Sequence, residues 1–256
     1  MYPLLIIGLL LAFGSVVAMV LMEGAQLSSL LLPAPIVLVV GATIAVGLAS
    51  TTWRDVLHGV KLLPRTVIGK VPPPAATIER MVALARTARA EGLLALDATL
   101  AETTDPFERT ALQGIVDGVP GDELRTILEE EIGTRERADA AGTALFNSMG
   151  GYAPTIGIIG TVVSLTHVLE NLSEPENLGH MIAAAFVATL WGLLTSNFIW
   201  LPIGARMERI CALETDQMVL VMEGALAILD GSQPALLEDR LRAMVPKHRL
   251  PAVEAA

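Results

Sequence analysis

The sequence predicts an all-α integral membrane protein with four transmembrane helices, two before and two after a helical cytoplasmic domain. Three observations predict it. Only 17% of the 256 residues are charged, against about 25% in soluble domains. Those charges are kept out of two long blocks. Between Met1 and Arg54 the single charge is Glu23, and between Asp139 and Arg206 there are only Glu170, Glu174, Glu176 and two histidines. Finally, no segment shows the apolar–polar alternation of a half-buried strand.

Each charge-poor block is long enough for two spans of about 20 residues. The first pair reads as roughly Pro3–Met22 and Pro35–Thr52, joined by Glu23–Ala34. The segment before Met22 carries no Lys or Arg and leads into no small-x-small cleavage site, so a retained helix is expected rather than a signal peptide. Trp53-Arg54 places an aromatic and a cation where the chain leaves the membrane. Pro72–Pro74 reads as a stiff spacer. Thr77 can cap the helix that follows, in which Ile78, Val82, Ala85 and Arg89 share a stripe. Gly92 interrupts before Leu93. Asp105-Pro106 has a capping residue followed by proline at the first helical position. Gly118-Val-Pro-Gly121 stops that helix, and Asp122 can cap the next. No strong breaker then separates Asp122 from the third span, so one long helix is expected through Asn147–Leu169. The fourth span reads as Leu178–Ile203, after the connector Glu170–Asn177. An amphipathic helix should run from about Gly204 to Leu229, followed by a Pro-rich tail that frays. The resulting division is 1–52, 53–146, 147–203 and 204–256: two spans, a cytoplasmic domain, two spans, and a cytoplasmic tail.

Orientation follows from Lys and Arg. Eleven lie in residues 54–137 and six in 206–249, and the two short connectors hold none. Positive charge marks the cytoplasmic side, so both termini are expected in the cytoplasm of a multi-pass protein of the bacterial plasma membrane. The net charge of −10 sits mainly on the cytoplasmic part, which holds 23 of 27 acids. That argues against nucleic acid or anionic lipid as a main partner. Membrane lipid surrounds the spans in any case. Cys211 is the single cysteine, so no intrachain disulfide and no Cys-based metal site can form.

The chemistry in the chain is sparse. There is no metal-protease motif, nucleophile elbow or phosphate-binding loop, so no catalytic residue, metal or cofactor is expected and the protein is not read as an enzyme. His58 and His248 stand alone in the cytoplasmic part. His167 and His180 flank the second outer connector, either as interfacial polar residues or as a proton relay. No Asp, Glu, Lys or Arg lies in the middle of any span. A lone ion carrier normally needs such a group. This chain therefore either moves no ion or uses a carboxylate supplied by another protein.

Small and hydroxyl residues fill the spans instead. Gly41-x-x-x-Ala45, Thr43-x-x-x-Gly47, Ala153-x-x-x-Gly157 and Gly157-x-x-x-Thr161 allow close helix approach. Thr161 and Thr189 lie symmetrically about residue 175, which in a hairpin places both about 13 Å from the outer end. Ser164, Gly192 and Ser196 lie nearby on the same two helices. Each hydroxyl either bonds its own helix or forms a polar strip facing a partner or a water path. Pro154 and Pro202 sit near the cytoplasmic ends of the hairpin, as hinges or as packing kinks.

Several of these stretches resemble the MotA branch of the MotA/TolQ/ExbB proton-channel family. They are Met22-Glu-Gly-Ala-Gln-Leu-Ser-Ser-Leu-Leu, Arg89-Ala-Glu-Gly-Leu-Leu-Ala-Leu-Asp97, Ala153-Pro-Thr-Ile-Gly-Ile-Ile-Gly-Thr-Val-Val-Ser-Leu, and Ala185-Phe-Val-Ala-Thr-Leu-Trp-Gly with Leu201-Pro-Ile. They occur in order over about residues 4–210. The resemblance implies a stator subunit of the bacterial flagellar motor, serving motility and chemotaxis. It implies a homo-oligomer of five copies around two copies of a MotB-like single-span protein, whose Asp accepts the ion. It implies that the ring turns the rotor through the protein FliG. By motif position Thr161 and Thr189 line the ion path, Pro154 and Pro202 are the functional prolines, and Arg89 is the rotor-facing cation. Asp97 stands where the family usually has Glu, with the same charge and a shorter reach. Without the resemblance, Arg89 and Asp97 read equally as solvated surface. The translocated ion is expected to be H+, with Na+ the alternative, because the sodium-type relatives resemble a Thr-Thr pair where this chain has Ala188-Thr189. Two other readings stay open: a non-flagellar TolQ/ExbB-like energy transducer, whose members have one span before the cytoplasmic domain, and a non-conducting membrane scaffold.

Overall fold

A computed structural model describes residues 4–69, 71–170 and 175–251. Among them every regular element is helical. The chain packs into two compact units, Met1–Gly69 with Ala138–Ile210, and Lys70–Arg137 with Cys211–Ala256. This is a division by packing rather than by membrane side.

In the first unit α1 spans Leu4–Met22 and α2 spans Pro33–Ala49, joined through a 3-10 turn at Leu27–Leu30. Pro33 starts α2 because a first-turn proline gives up no helical hydrogen bond. α3 runs over Trp53–Ile68, and the Thr52 hydroxyl caps it by accepting from the Asp55 N–H at 3.4 Å. It buries Val56, Gly59, Leu62 and Thr66, and exposes Trp53, Leu57, Val60 and Ile68. Those four recur at helical spacing, so they form a second apolar face on the same helix.

The long helix expected from Asp122 is present as α7, Gly121–Glu170. It begins one residue earlier than expected, so Asp122 lies in its first turn instead of capping it. Within the first unit α7 meets α3 where Gly59 and Gly142 touch. A Cβ on Gly59 would stand 2.7 Å from the Gly142 carbonyl oxygen. Beside this crossing His58 Nε2 lies 2.8 Å from Asp139 Oδ1, with Asp139 only 4% exposed. α8 covers Pro175–Thr195, passes through a π-helical turn at Ser196–Trp200, and continues as α9, Leu201–Leu229. α2 packs on α8. The Trp191 indole N–H donates to the Leu30 carbonyl at 2.7 Å, and Phe13 meets Phe198 edge-on at 5.5 Å. Leu4–Met22, Gly121–Glu170 and Met181–Leu229 are long and apolar enough to cross a membrane. Pro33–Ala49 is a shorter apolar helix of 17 residues, at the short end of the spanning range.

The second unit is a helical cluster. α4 is Pro74–Glu91, α5 is Asp97–Glu102 after a 3-10 turn at Leu93–Leu96, α6 is Pro106–Val116, and α10 is Pro234–Ala243. Asp105 caps α6 as its Asp-Pro sequence predicts, accepting from the Glu108 N–H at 2.9 Å. Thr77 does not cap α4, because Pro74 already starts that helix. Its hydroxyl instead donates to Gln217 Oε1 at 2.5 Å. Ile78, Met81, Leu112, Ile115, Leu124, Leu128, Leu237 and Leu241 are almost fully buried together. Each such side chain contributes about 1.5–3 kcal/mol of burial. The fraying expected beyond Leu229 is corrected here. α10 packs on α4 and places Leu237 and Leu241 in the core, because the apolar positions of that segment recur every four residues. Glu223 is held between Arg125, at 2.9 Å, and Arg240.

Candidate functional site

The third- and fourth-span helices are in backbone contact. A Cβ on Gly157 of α7 would lie 2.9 Å from the Ala188 carbonyl oxygen, and one on Gly192 of α8 would lie 2.7 Å from that of Ala153. No residue larger than Gly allows this approach without a shift. The small-residue spacing read from the sequence is therefore the crossing point of this helix pair.

One turn further along, the crossing brings two hydroxyls together. Thr161 Oγ1 lies 2.5 Å from Thr189 Oγ1, 3.0 Å from the Ala185 carbonyl oxygen and 3.1 Å from that of Gly157. Both threonines are half-buried. A hydroxyl has one proton to give and two lone pairs, so Thr161 donates to only one of these three oxygens at a time, and either hydroxyl can be the donor across the pair. The chain's own charges stay away. In α7 no Asp, Glu, Lys or Arg lies between Asp139 and Glu170, and residues 177–205 hold none at all, with His167 and His180 lying towards the outer connector. The site offers hydroxyl and carbonyl dipoles but no ionisable group.

Ala188 is buried against the α7–α8 contact, and its Cβ would come within 2.8 Å of a Cβ on Gly160. His167 lies 3.7 Å from Glu170 at the exposed end of α7. The His180 side chain and residues 171–174 fall outside the described set.

The prolines occupy the far end of the same helix pair. Pro154 lies within α7 and Pro202 within the first turn of α9, both half-buried. Proline cannot pair with the carbonyl four residues before it and its ring crowds that carbonyl. Ahead of Pro202 the helix widens into the π-helical turn, where the Leu201 N–H reaches back five residues to the Ser196 carbonyl. Asn147 of α7 packs against Gly204. Ser196 was read from the sequence only as part of the Thr189 face, and its partner emerges from the structure. Its hydroxyl donates to the Gly150 carbonyl at 2.6 Å.

Arg89 and Asp97 lie in the second unit and are both exposed. Arg89 is in the last turn of α4 and Asp97 is the first residue of α5. Gly92, at φ +88°, turns the chain between them, a conformation that disfavours any side chain. Neither makes an ion pair among the described residues, whereas Arg80 pairs with Glu108 and Arg125 with Glu223. Leu94, between them in sequence, is 74% exposed.

The class this fold and site define is an all-helical membrane chain with a paired-hydroxyl site in its apolar helices. Residues 100–219 match the MotA/TolQ/ExbB proton channel family. Motility protein A of Bacillus subtilis (strain 168) is 33% identical over 254 residues, covering 97% of this chain and 93% of that protein. The chain belongs to this family. The flagellar MotAB stator complex from Bacillus subtilis superposes with a TM-score of 0.87 at 31% identity, over 95% of this chain and 96% of that one. MotAB of C. jejuni shares the fold with a TM-score of 0.94 at 23% identity, over 99% and 100% of the two chains. The family is one of proton channels and not of enzymes, and the relatives matching nearly end to end are its motility members.

Proposed function

We propose that this chain is the stator subunit of a bacterial flagellar motor, forming an ion channel together with a MotB-like single-span protein. The observation that carries the reading is the Thr161–Thr189 hydroxyl pair at 2.5 Å, set in stretches of the two helices, 140–169 and 177–195, that hold no Asp, Glu, Lys or Arg. A partner carboxylate placed beside the pair completes a site that neither chain holds alone. The protein sits in the inner membrane with both termini and the second unit on the cytoplasmic side, as the Lys and Arg distribution supports. α1, α2, the outer part of α7, and α8 with its π-helical turn are its four spans. The apolar outer face of α3, flanked by Arg54 and Lys61, lies on lipid at the membrane surface.

The chain acts as a homo-oligomer of five copies. Val162, Val163 and Leu169 of α7 and Phe186 of α8 are all more than half exposed in the single chain, so neighbouring copies, the partner or lipid must cover them. The third and fourth spans line the inside of this ring. Pro154 and Pro202 allow the helix pair to bend as the partner carboxylate is protonated and released. Arg89 and Asp97 face the rotor protein FliG, and H+ is the ion. No step of this cycle makes or breaks a covalent bond in a substrate, so the protein is not an enzyme.

The test is co-expression with the single-span partner in cells lacking their own stators. Rotation should appear, and should vanish when the partner's membrane Asp becomes Asn. Rotation that persists with that Asn would overturn the reading.

A further inference from the structure

We infer that Ser196 supplies the donor that Pro154 removes, and that this bond makes the helix segments at Pro154 and Pro202 one mechanical unit. The inference rests on the stator reading above. A helical residue at 154 would donate its N–H to the Gly150 carbonyl, four residues earlier. Proline has no N–H, so that carbonyl loses its partner inside a buried crossing. The Ser196 hydroxyl fills the vacancy from the other helix at 2.6 Å. Ser196 is 2% exposed, so water does not compete for the bond.

The same residue belongs to the second segment. Its backbone carbonyl accepts the Leu201 N–H in the five-residue bond of the π-helical turn, and that turn precedes Pro202. Leu201 closes the contact from the other side, since a Cβ on Gly150 would lie 2.5 Å from its Cδ2. Gly150 is thus held by the residue that opens the π-helical turn and by the residue that follows it. If α7 changes its angle at Pro154, the Gly150 carbonyl shifts. It then either loses its donor, leaving a buried acceptor unpaired, or draws the π-helical turn with it. Ser196 is a positioning residue that couples the two segments and touches no ion.

The experiment uses the full chain with its partner and compares Ser196→Ala, Ser196→Cys, Pro154→Ala and the Pro154→Ala/Ser196→Ala double variant. Two readouts are taken: low-load rotation speed per assembled stator unit, and the thermal midpoint of the purified complex. In the wild-type background Ser196→Ala should lower both, with any equilibrium governed by the bond shifting by about fivefold or more. Ser196→Cys, a weaker donor, should fall between Ser and Ala. In the Pro154→Ala background the restored N–H at 154 claims the Gly150 carbonyl, so Ser196→Ala should leave the midpoint unchanged. An equal loss of midpoint in both backgrounds would overturn the inference, as would wild-type speed per unit in Ser196→Ala. A wild-type chain that drives no motor would defeat the stator reading, while the midpoint comparison would still decide whether Ser196 stands in for the missing N–H.

Discussion

Thr161 Oγ1 and Thr189 Oγ1 face each other at 2.5 Å across a helix crossing made by Gly157 and Gly192. The two residues are 28 apart in the chain. They meet because the backbones touch one turn away, where no side chain intervenes. The hydroxyl pair and the glycine pair are therefore one structural feature, and a change in either should be felt by the other.

Replacing Thr161 by Val keeps the shape and removes the hydroxyl. The lost hydrogen bond should cost about 1 kcal/mol of stability, while assembly survives. Ion flux per assembled unit should fall, and Thr161→Ser should restore most of it. Unchanged flux in Thr161→Val, measured as partner-dependent proton uptake, would remove Thr161 from the ion path.

Gly192→Val tests the crossing. Its side chain would meet the Ala153 carbonyl, which belongs to the backbone and cannot rotate away. Overpacking of this kind costs about 1–3 kcal/mol. The expected outcome is a lowered thermal midpoint together with loss of rotation, because the threonine pair separates. Rotation at wild-type speed would show that the helices are free to part.

Arg89→Glu addresses the rotor. The side chain is exposed in the last turn of α4, so the fold should tolerate the change within about 0.5 kcal/mol. Membrane insertion and stator assembly should match wild type while rotation falls sharply. A charge reversal on the rotor partner should recover part of it. Normal swimming in the single variant would move the rotor contact elsewhere.

Glu223→Gln probes the second unit. Glu223 is buried between Arg125 and Arg240, but both arginines are well exposed, with side chains 40% and 51% accessible. Breaking a fully buried ion pair costs more, so solvent screening brings the expectation down to about 1–2 kcal/mol. That is a fall of roughly 2–8 °C in the thermal midpoint. The Arg125 pKa is raised above its ordinary value, chiefly by the hydrogen bond to Glu223, although desolvation opposes it. A raised pKa adds stability that is fully present below the ordinary guanidinium range and is lost only at higher, strongly alkaline pH. Arg125 should therefore add no pH dependence to the Glu223→Gln difference near neutrality.

Ion identity can be measured directly. Swimming should persist in sodium-free medium and stop with a protonophore, because the site offers two threonine hydroxyls where sodium needs a fuller oxygen cage. Ala188 is buried against Gly160, so a hydroxyl added there enters the helix contact. Loss of rotation without sodium would reverse the assignment.

Composition and periodicity alone determined the helical class, the charge-poor blocks, the long helix from about residue 122 into the third span, the Asp105 cap and the matching depth of Thr161 and Thr189, while the resemblance to the family added the motif roles of Thr161, Thr189, Pro154 and Pro202. Each of these depends on residue type and spacing along the chain, which are local properties. Tertiary structure decided what pairing decides. Leu237 and Leu241 were read as part of a fraying tail, yet they belong to the core, because burial depends on which surface the chain returns to. Thr77 carried a capping signal, but Pro74 had already started the helix and Gln217 took the hydroxyl. Ser196 showed only a small polar residue in sequence. Its partner is a carbonyl 46 residues away, left open by a proline on another helix. No local pattern encodes that match, since it exists only once the two helices lie side by side.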